Sequence, residues 1–254
     1  MKPDMVLKAA TLAGKILLES GAETVRVEET VTRICESLLA HDAHAFATPT
    51  GLFVSFDYND TSYTKVLRIK GSRINLERIN QVNQISRLCA LKTMDELQAF
   101  EELKKVQSIS EYPVFVKILS GGFAAMFFTY LFEGTLRDGL CAFFIGSFVQ
   151  YIGGFFDRKN INSIVKITML SAMLTFMILF LTHLGFVKNR DTTIIGTLML
   201  LVPGVAITNA VRDWIFGDLL SGATRAIEAV LIAVALALGA GIVLSVWMSV
   251  VGGV

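Results

Sequence analysis

Residues 201–213 read LVPGVAITNAVRD, and they gather groups that could do chemistry. Asn209, Arg212 and Asp213 stand at i, i+3 and i+4, so a helix would place an amide, a guanidinium and a carboxylate on one face. Asp218, Arg225 and Glu228 follow, the last two again three apart. A guanidinium matches a carboxylate in two-point fashion. Either Arg212 or Arg225 would therefore hold a small carboxylate solute. Either Asp213 or Asp218 would meet an ammonium group or carry a coupling proton. Thr208 and Asn209 would orient the solute, and Glu228 completes the set of binding or coupling candidates.

Pro203 and Gly204 come just before this cluster. Proline removes a helical hydrogen bond, and glycine adds conformational freedom at the same point. The carbonyls and N–H groups freed at such a break bind ions and carboxylates in transporters. Charge at mid-membrane costs roughly 2.5–3.5 kcal/mol on insertion scales, which favours a wet path over lipid beside these residues. Two plainer readings stay open. Pro203 is a simple kink, or 212–225 is a solvated cytosolic loop whose arginines anchor the inner face.

A second charged set, Glu133, Arg137 and Asp138, lies in FEGTLRDGL. It reads as a second gate or coupling site, or as a short interfacial turn. His183 is a proton carrier or an interfacial side chain. His41, Asp42 and His44 form HDAH in an expected helix-to-strand loop, which reads as polar loop rather than metal site. No metal or cofactor is expected.

These residues need elements to hold them. The chain has 254 residues, is 53% hydrophobic and is only 18% charged. Residues 1–112 carry 14 Lys/Arg and 15 Asp/Glu, against 9 and 7 in residues 113–254. The contrast predicts a water-soluble half and a membrane half. Net charge near +1 gives no reason to expect nucleic acid. Cys35, Cys89 and Cys141 are widely spaced and read as reduced thiols. The charged N-terminal stretch is no secretory signal, so the first half is expected in the cytosol.

A spanning helix needs about 20 apolar residues. Five stretches qualify, near 114–133, 138–156, 163–186, 193–211 and 227–250. The predicted fold is a membrane α-helical bundle of five transmembrane helices preceded by a soluble α+β cytosolic domain, with domains at 1–110 and 111–254. Lys and Arg near the span ends place the N-terminus inside and, with five spans, the C-terminus outside the cell membrane. An odd count suggests a missing partner. Small residues mark contact faces in lipid. Ala229, Ala233, Ala237 and Gly241 do so in the last span, Gly121, Gly122 and Ala125 in the first, and Gly146 and Gly153 in the second. They serve packing within the bundle or against another chain.

In the first half, helices are expected over 4–19 and 23–40, with Gly21 as a left-handed cap. Leu52, Val54 and Phe56 alternate and YNDTS is a turn, which predicts two or three antiparallel strands. Residues 73–88 return to helix. TMDEL reads as a capping box on Thr93, and Leu97, Phe100 and Leu103 as the stripe that follows. The acids Glu19, Glu23, Glu28 and Glu29, mixed with Arg26 and Arg33, read as a solvated helix face or a vestibule ahead of a pore. No GxSxG, HExxH, Walker or GxGxxG pattern occurs, so no enzyme is indicated.

SGAETVRVEETVTRI (20–34), ATPTGLFVSF (47–56), LRDG (136–139) and PGVAITNAVRDWIFGDLLSGATRAIEA (203–229) resemble the threonine/serine exporter family in its short form. The resemblance implies export of threonine and serine, or of succinate in some short members. It implies secondary transport driven by an ion gradient, here expected to be protons. It also implies work alongside a separate small membrane subunit, and an oligomer. The competing reading is a membrane-anchored enzyme or non-transporting scaffold whose soluble domain carries the activity.

Overall fold

The structure, a computed structural model, describes residues 2–38, 41–109 and 112–252. It forms two compact units, Met1–Glu111 with Ala206–Ala226, and Tyr112–Val205 with Ile227–Val254.

The first unit begins with α1 (Pro3–Glu19) and α2 (Thr24–Ser37). Pro3 sits in the first turn of α1, where a missing N–H costs nothing. α1 ends where Gly21 adopts φ +80°: the Gly21 amide donates to Leu18 O and the Ala22 amide to Leu17 O. This paired closure satisfies carbonyls that a helix end leaves free. Val27, Val31 and Ile34 of α2 are fully buried, as their spacing requires. The helix expected to reach 40 stops at Ser37; Leu38 is its cap, and 39–40 lie outside the described residues.

Three strands follow, β1 (His41–Thr48), β2 (Gly51–Tyr58) and β3 (Thr61–Arg68), antiparallel in that order. Leu52, Val54 and Phe56 point into the core, while Phe46, Phe53 and Val66 align across the outer face. Asn59 and Asp60 both have positive φ, the backbone of the tight two-residue hairpin whose twist matches its strands. HDAH lies inside β1, not in a loop before it.

α3 (Leu76–Ala90) is capped by the Asn75 side chain, which accepts from the Arg78 amide at 3.0 Å. α4 (Glu96–Gln107) has its capping box on Asp95 and Gln98, two residues beyond the expected Thr93. The Thr93 hydroxyl instead donates to Leu88 O. The register shift turns Ala99, Leu103 and Val106 inward and leaves Leu97 exposed.

The second unit holds α5 (Val114–Leu131), α6 (Leu136–Arg158), α7 (Ser163–His183), α8 (Arg190–Leu198) and the larger part of α10 (Leu219–Val251). Between α8 and α10 runs α9 (Gly204–Ile215). Among the described residues four helices, α5, α6, α7 and α10, are long and apolar enough to cross a membrane. This corrects the expected fold of five transmembrane helices after a separate soluble domain. The stretch at 193–211 is not one rod: it is the end of α8, a break over Met199–Pro203, and α9. Pro203 has no N–H and would crowd the carbonyl of Met199, so the helix stops and restarts at Gly204. Nor does the first unit simply precede the rest, since it includes Ala206–Ala226. The count that put the C-terminus outside therefore no longer applies.

Inside the second unit, backbones approach where side chains are smallest. A Cβ on Gly146 would lie 2.6 Å from Ala125 Cβ and 2.9 Å from Gly121 O, so α5 and α6 touch there. A Cβ on Gly196 would lie 2.6 Å from Thr129 Cα, which locks α8 against α5. On α10 beyond residue 226 the buried residues are Ala229, Ala235, Leu236, Gly239 and Ala240; Ala233, Ala237 and Gly241 are exposed.

Candidate functional site

The polar residues of α9 and the start of α10 converge on the loop Ser20–Thr24, which joins α1 to α2 within the same unit. Asn209 Nδ2 donates to Gly21 O at 3.2 Å. Arg225 Nη2 donates to Ala22 O at 2.9 Å. Arg212 forms an ion pair with Glu23. The Thr24 hydroxyl donates to Asp213 Oδ2 at 3.4 Å. Arg225 Nε stands 3.1 Å from that same Oδ2 as an ion pair, without the alignment of a hydrogen bond. The loop's other carbonyls are also used: Arg73 N donates to Glu19 O, Asn75 N to Ser20 O and Val27 N to Glu23 O. A turn of five residues is thus held at every carbonyl from 19 to 23.

Local structure explains how α9 reaches it. Asn209 and Asp213 are buried on one face, 6% and 1% exposed, as the i, i+4 spacing requires. α9 ends as α1 does: Gly217 has φ +92°, the Gly217 amide donates to Trp214 O and the Asp218 amide to Asp213 O. α10 then folds back onto α9. A Cβ on Gly222 would come 2.9 Å from Ala210 O and strike the Trp214 ring, so only glycine permits this approach. The fold-back brings Arg225, its side chain 12% exposed, beside Asp213.

The electrostatics are unbalanced. Asp213 Oδ1 and Asp218 Oδ2 are buried with no hydrogen-bond partner. On α2, Glu28 Oε1 accepts from the Ala47 amide at 2.8 Å. Burial pushes the Glu28 carboxyl above its ordinary value; the Ala47 amide opposes this, and the Asp218 and Asp213 charges add to it. Burial likewise raises Asp213, against the pull of Arg225. Among the described residues no three His, Cys, Asp or Glu side chains converge closely enough to hold a metal ion.

The remaining candidates are placed differently. Pro203 lies in the break, Gly204 opens α9 with open space about it, and Thr208 is exposed. Glu228 is exposed on α10, in the second unit. Glu133 and Arg137 are exposed as well. Asp138 is fully buried and both its oxygens are engaged. Oδ2 accepts from the Thr135 amide at 2.9 Å and hydroxyl at 2.6 Å, and Oδ1 from the amides of Lys188 at 2.6 Å and Asn189 at 3.1 Å. It caps α6 and fixes the α7–α8 connection. Gly139 beside it has a Tyr130 ring where a Cβ would be, 2.6 Å from Cζ. His183 stacks edge-on with Trp247, and His44 pairs with Asp42 on the surface.

The partners of α9, namely Glu23, Thr24 and the Gly21 carbonyl, and the Ala22 carbonyl that Arg225 of α10 meets, were not assigned by sequence reasoning. They lie about 190 residues away, and no periodicity connects them. The signal available was that both stretches carry the same family resemblance.

Four helices long and apolar enough to cross a membrane, with a broken polar segment between the third and the fourth, fit the class of multi-pass membrane proteins. Residues 8–247 match the family described as "Putative threonine/serine exporter", and the chain belongs to it. Two curated relatives are each named "Probable succinate transporter subunit YjjP". The one from Klebsiella aerogenes is 21% identical over 232 residues, covering 91% of this chain and 90% of the relative. The one from Escherichia coli K12 is 22% identical over 243 residues, covering 95% and 94%. No solved structure matches.

Proposed function

We propose that this chain is one subunit of a secondary exporter that moves a small carboxylate solute out of the cytosol, a threonine- or serine-like amino acid or a succinate-like dicarboxylate. Family membership over 8–247 and relatives named as succinate transporter subunits support this reading. The observation that carries it at the residue level is the pairing of two guanidiniums, Arg212 and Arg225, with carboxylates just after the helix break. A site that already holds carboxylates can exchange them for a solute's. Arg212 or Arg225 receives the solute carboxylate. Asp213 or Asp218 meets an ammonium group or carries the coupling proton, and Thr208 and Asn209 orient the solute. Lys104, Lys105 and Lys117, ahead of and at the start of the first span, support a cytosolic N-terminus. A separate small membrane subunit completes the pathway, and protons supply the driving gradient. The test is efflux of labelled threonine, serine and succinate from cells with and without this chain and its companion. Faster efflux of at least one solute is expected; equal efflux of all three rejects the reading.

A further inference from the structure

We propose that α9 and the first turns of α10 are a lipid-binding surface. Their outer, apolar face seats at the headgroup–acyl boundary of the bilayer, while the inner, polar face keeps its clasp on the Ser20–Thr24 loop. The proposal goes beyond the exporter reading and does not depend on it, since no solute enters the argument.

The polarity of α9 is inverted. Asn209 and Asp213 are buried, whereas Ile207, Val211 and Ile215, at i, i+4 and i+8, are exposed on the other side with Trp214 beside them. A helix at a water-facing surface does the reverse. α2 of the same unit is the ordinary case: it buries Val27, Val31 and Ile34 and exposes Arg26, Glu29, Arg33 and Glu36. Phe216, Leu219 and Leu220, after α9, are exposed too. The charged residues of 204–224 are Arg212, Asp213 and Asp218. Arg212 pairs with Glu23, Asp213 is buried, and Asp218 has one oxygen buried. Single exposed apolar side chains are ordinary on a protein surface, but a contiguous set marks a binding surface.

What covers that surface follows from α10. Leu220, Ile227, Leu231, Val234, Leu238 and Ile242 are all exposed, and their helical spacing puts them along one face of α10. α10 is long and apolar enough to cross a membrane, so this stripe is its lipid face. The stripe begins at Leu220, inside the α9–α10 surface, and the two are continuous. Arg225 is turned away from it, toward Ala22 O.

Lengths agree with a seat at the boundary. α10 has 33 residues and is about 50 Å long. Its last charged residue is Glu228, and 229–251 alone gives about 34 Å, enough for a hydrocarbon core of about 30 Å. The stretch 219–228 is therefore surplus to the crossing and leads through the headgroup layer. α9 meets α10 within it, since a Cβ on Gly222 would come 2.9 Å from Ala210 O. Tryptophan is enriched at that depth, and an amphipathic helix seated there buries its apolar side about 5–10 Å into the headgroup–acyl boundary. Through the clasp, the seat ties the Ser20–Thr24 loop to the membrane surface.

The test uses the full chain in lipid nanodiscs and the fluorescence of Trp214. The chain has two tryptophans, and Trp247→Phe leaves Trp214 alone. Emission is compared in lipid brominated near the glycerol end of its acyl chains, in lipid brominated near the methyl end, and in unbrominated lipid with iodide in the buffer. Trp214 should lose most emission to the first, less to the second and least to iodide. Ile215→Trp in a Trp214→Phe/Trp247→Phe chain, at a position 75% exposed, should show the same order. If Trp247→Phe does not fold, the difference between wild type and Trp214→Phe isolates the same ring. Strongest loss to iodide would place the face in water, and strongest loss to bromine at the methyl end would place α9 across the hydrocarbon. Loss to none of the three would mean that protein covers the face, a second copy or another subunit. Each of these three results overturns the proposal.

Discussion

Replacing Arg225 by methionine removes the guanidinium but keeps an apolar stem of similar length. Asp213, 1% exposed, would then hold its charge with only Thr24, through its hydroxyl at 3.4 Å and its backbone amide, to stabilise it. Ala22 O would also lose its donor at 2.9 Å. Breaking a buried pair by removing one partner costs about 3–5 kcal/mol, because the other charge is stranded. Arg225 keeps 12% of its side chain exposed, so the lower end applies, about 3 kcal/mol. For a chain of this size that is a fall in Tm of roughly 6–12 °C. The assay is thermal unfolding of the purified chain in detergent, alongside Asp213→Leu and the Arg225→Met/Asp213→Leu double variant. The double variant should recover most of the loss, since it buries no charge. A single variant within about 1 °C of wild type would show that Asp213 is solvated and that the clasp is not a buried ion pair.

Glu28→Gln should stabilise the chain at neutral pH. A carboxyl whose folded value lies above its ordinary 4.5 loses stability as pH rises through that ordinary value, because the unfolded state ionises first; the gain over wild type should therefore appear above that pH and vanish below it in Tm measured against pH. Asp138→Asn cannot accept the four hydrogen bonds the carboxylate takes and should cost about 2–3 kcal/mol in the same unfolding assay, whereas an unchanged Tm would mean those amides are served otherwise. Gly196→Leu should prevent α8 from meeting Thr129 and reduce folded yield in gel filtration; a normal yield and Tm would contradict that close approach. Burial holds the Cys35 thiol at about 12 and Cys89 at about 11, so neither should react with iodoacetamide at pH 8 until the chain unfolds.

Local structure was the most legible part. Gly21 was readable as a left-handed cap, YNDTS as a turn, and Leu52-Val54-Phe56 as one buried strand face, because each depends on neighbours within a few residues. The interruption at Pro203 was readable too, yet the stretch around it was still counted as a fifth span. Hydropathy averages over a break that backbone chemistry makes decisive. On α10 the Ala229-Ala233-Ala237-Gly241 spacing suggested a contact face, but of these four only Ala229 is buried, and the helix otherwise buries Ala235, Leu236, Gly239 and Ala240. An alanine-rich helix carries small residues on more than one side, so spacing alone does not choose between them. The clasp was the least legible. Asn209, Arg212, Asp213 and Arg225 were identified as a set, but their partners at 21–24 are set by tertiary closure and leave no local pattern.

Arg212 offers the most direct test of the proposed transport role. It is 46% exposed in its pair with Glu23, and such pairs contribute about 0–1 kcal/mol, so Arg212→Ala should leave folding and membrane level nearly intact. Efflux of labelled threonine, serine and succinate is measured from cells that carry equal amounts of wild-type chain or Arg212→Ala, each with the companion subunit. The account predicts that efflux falls to the level of cells lacking the chain. Wild-type efflux from the variant would contradict it.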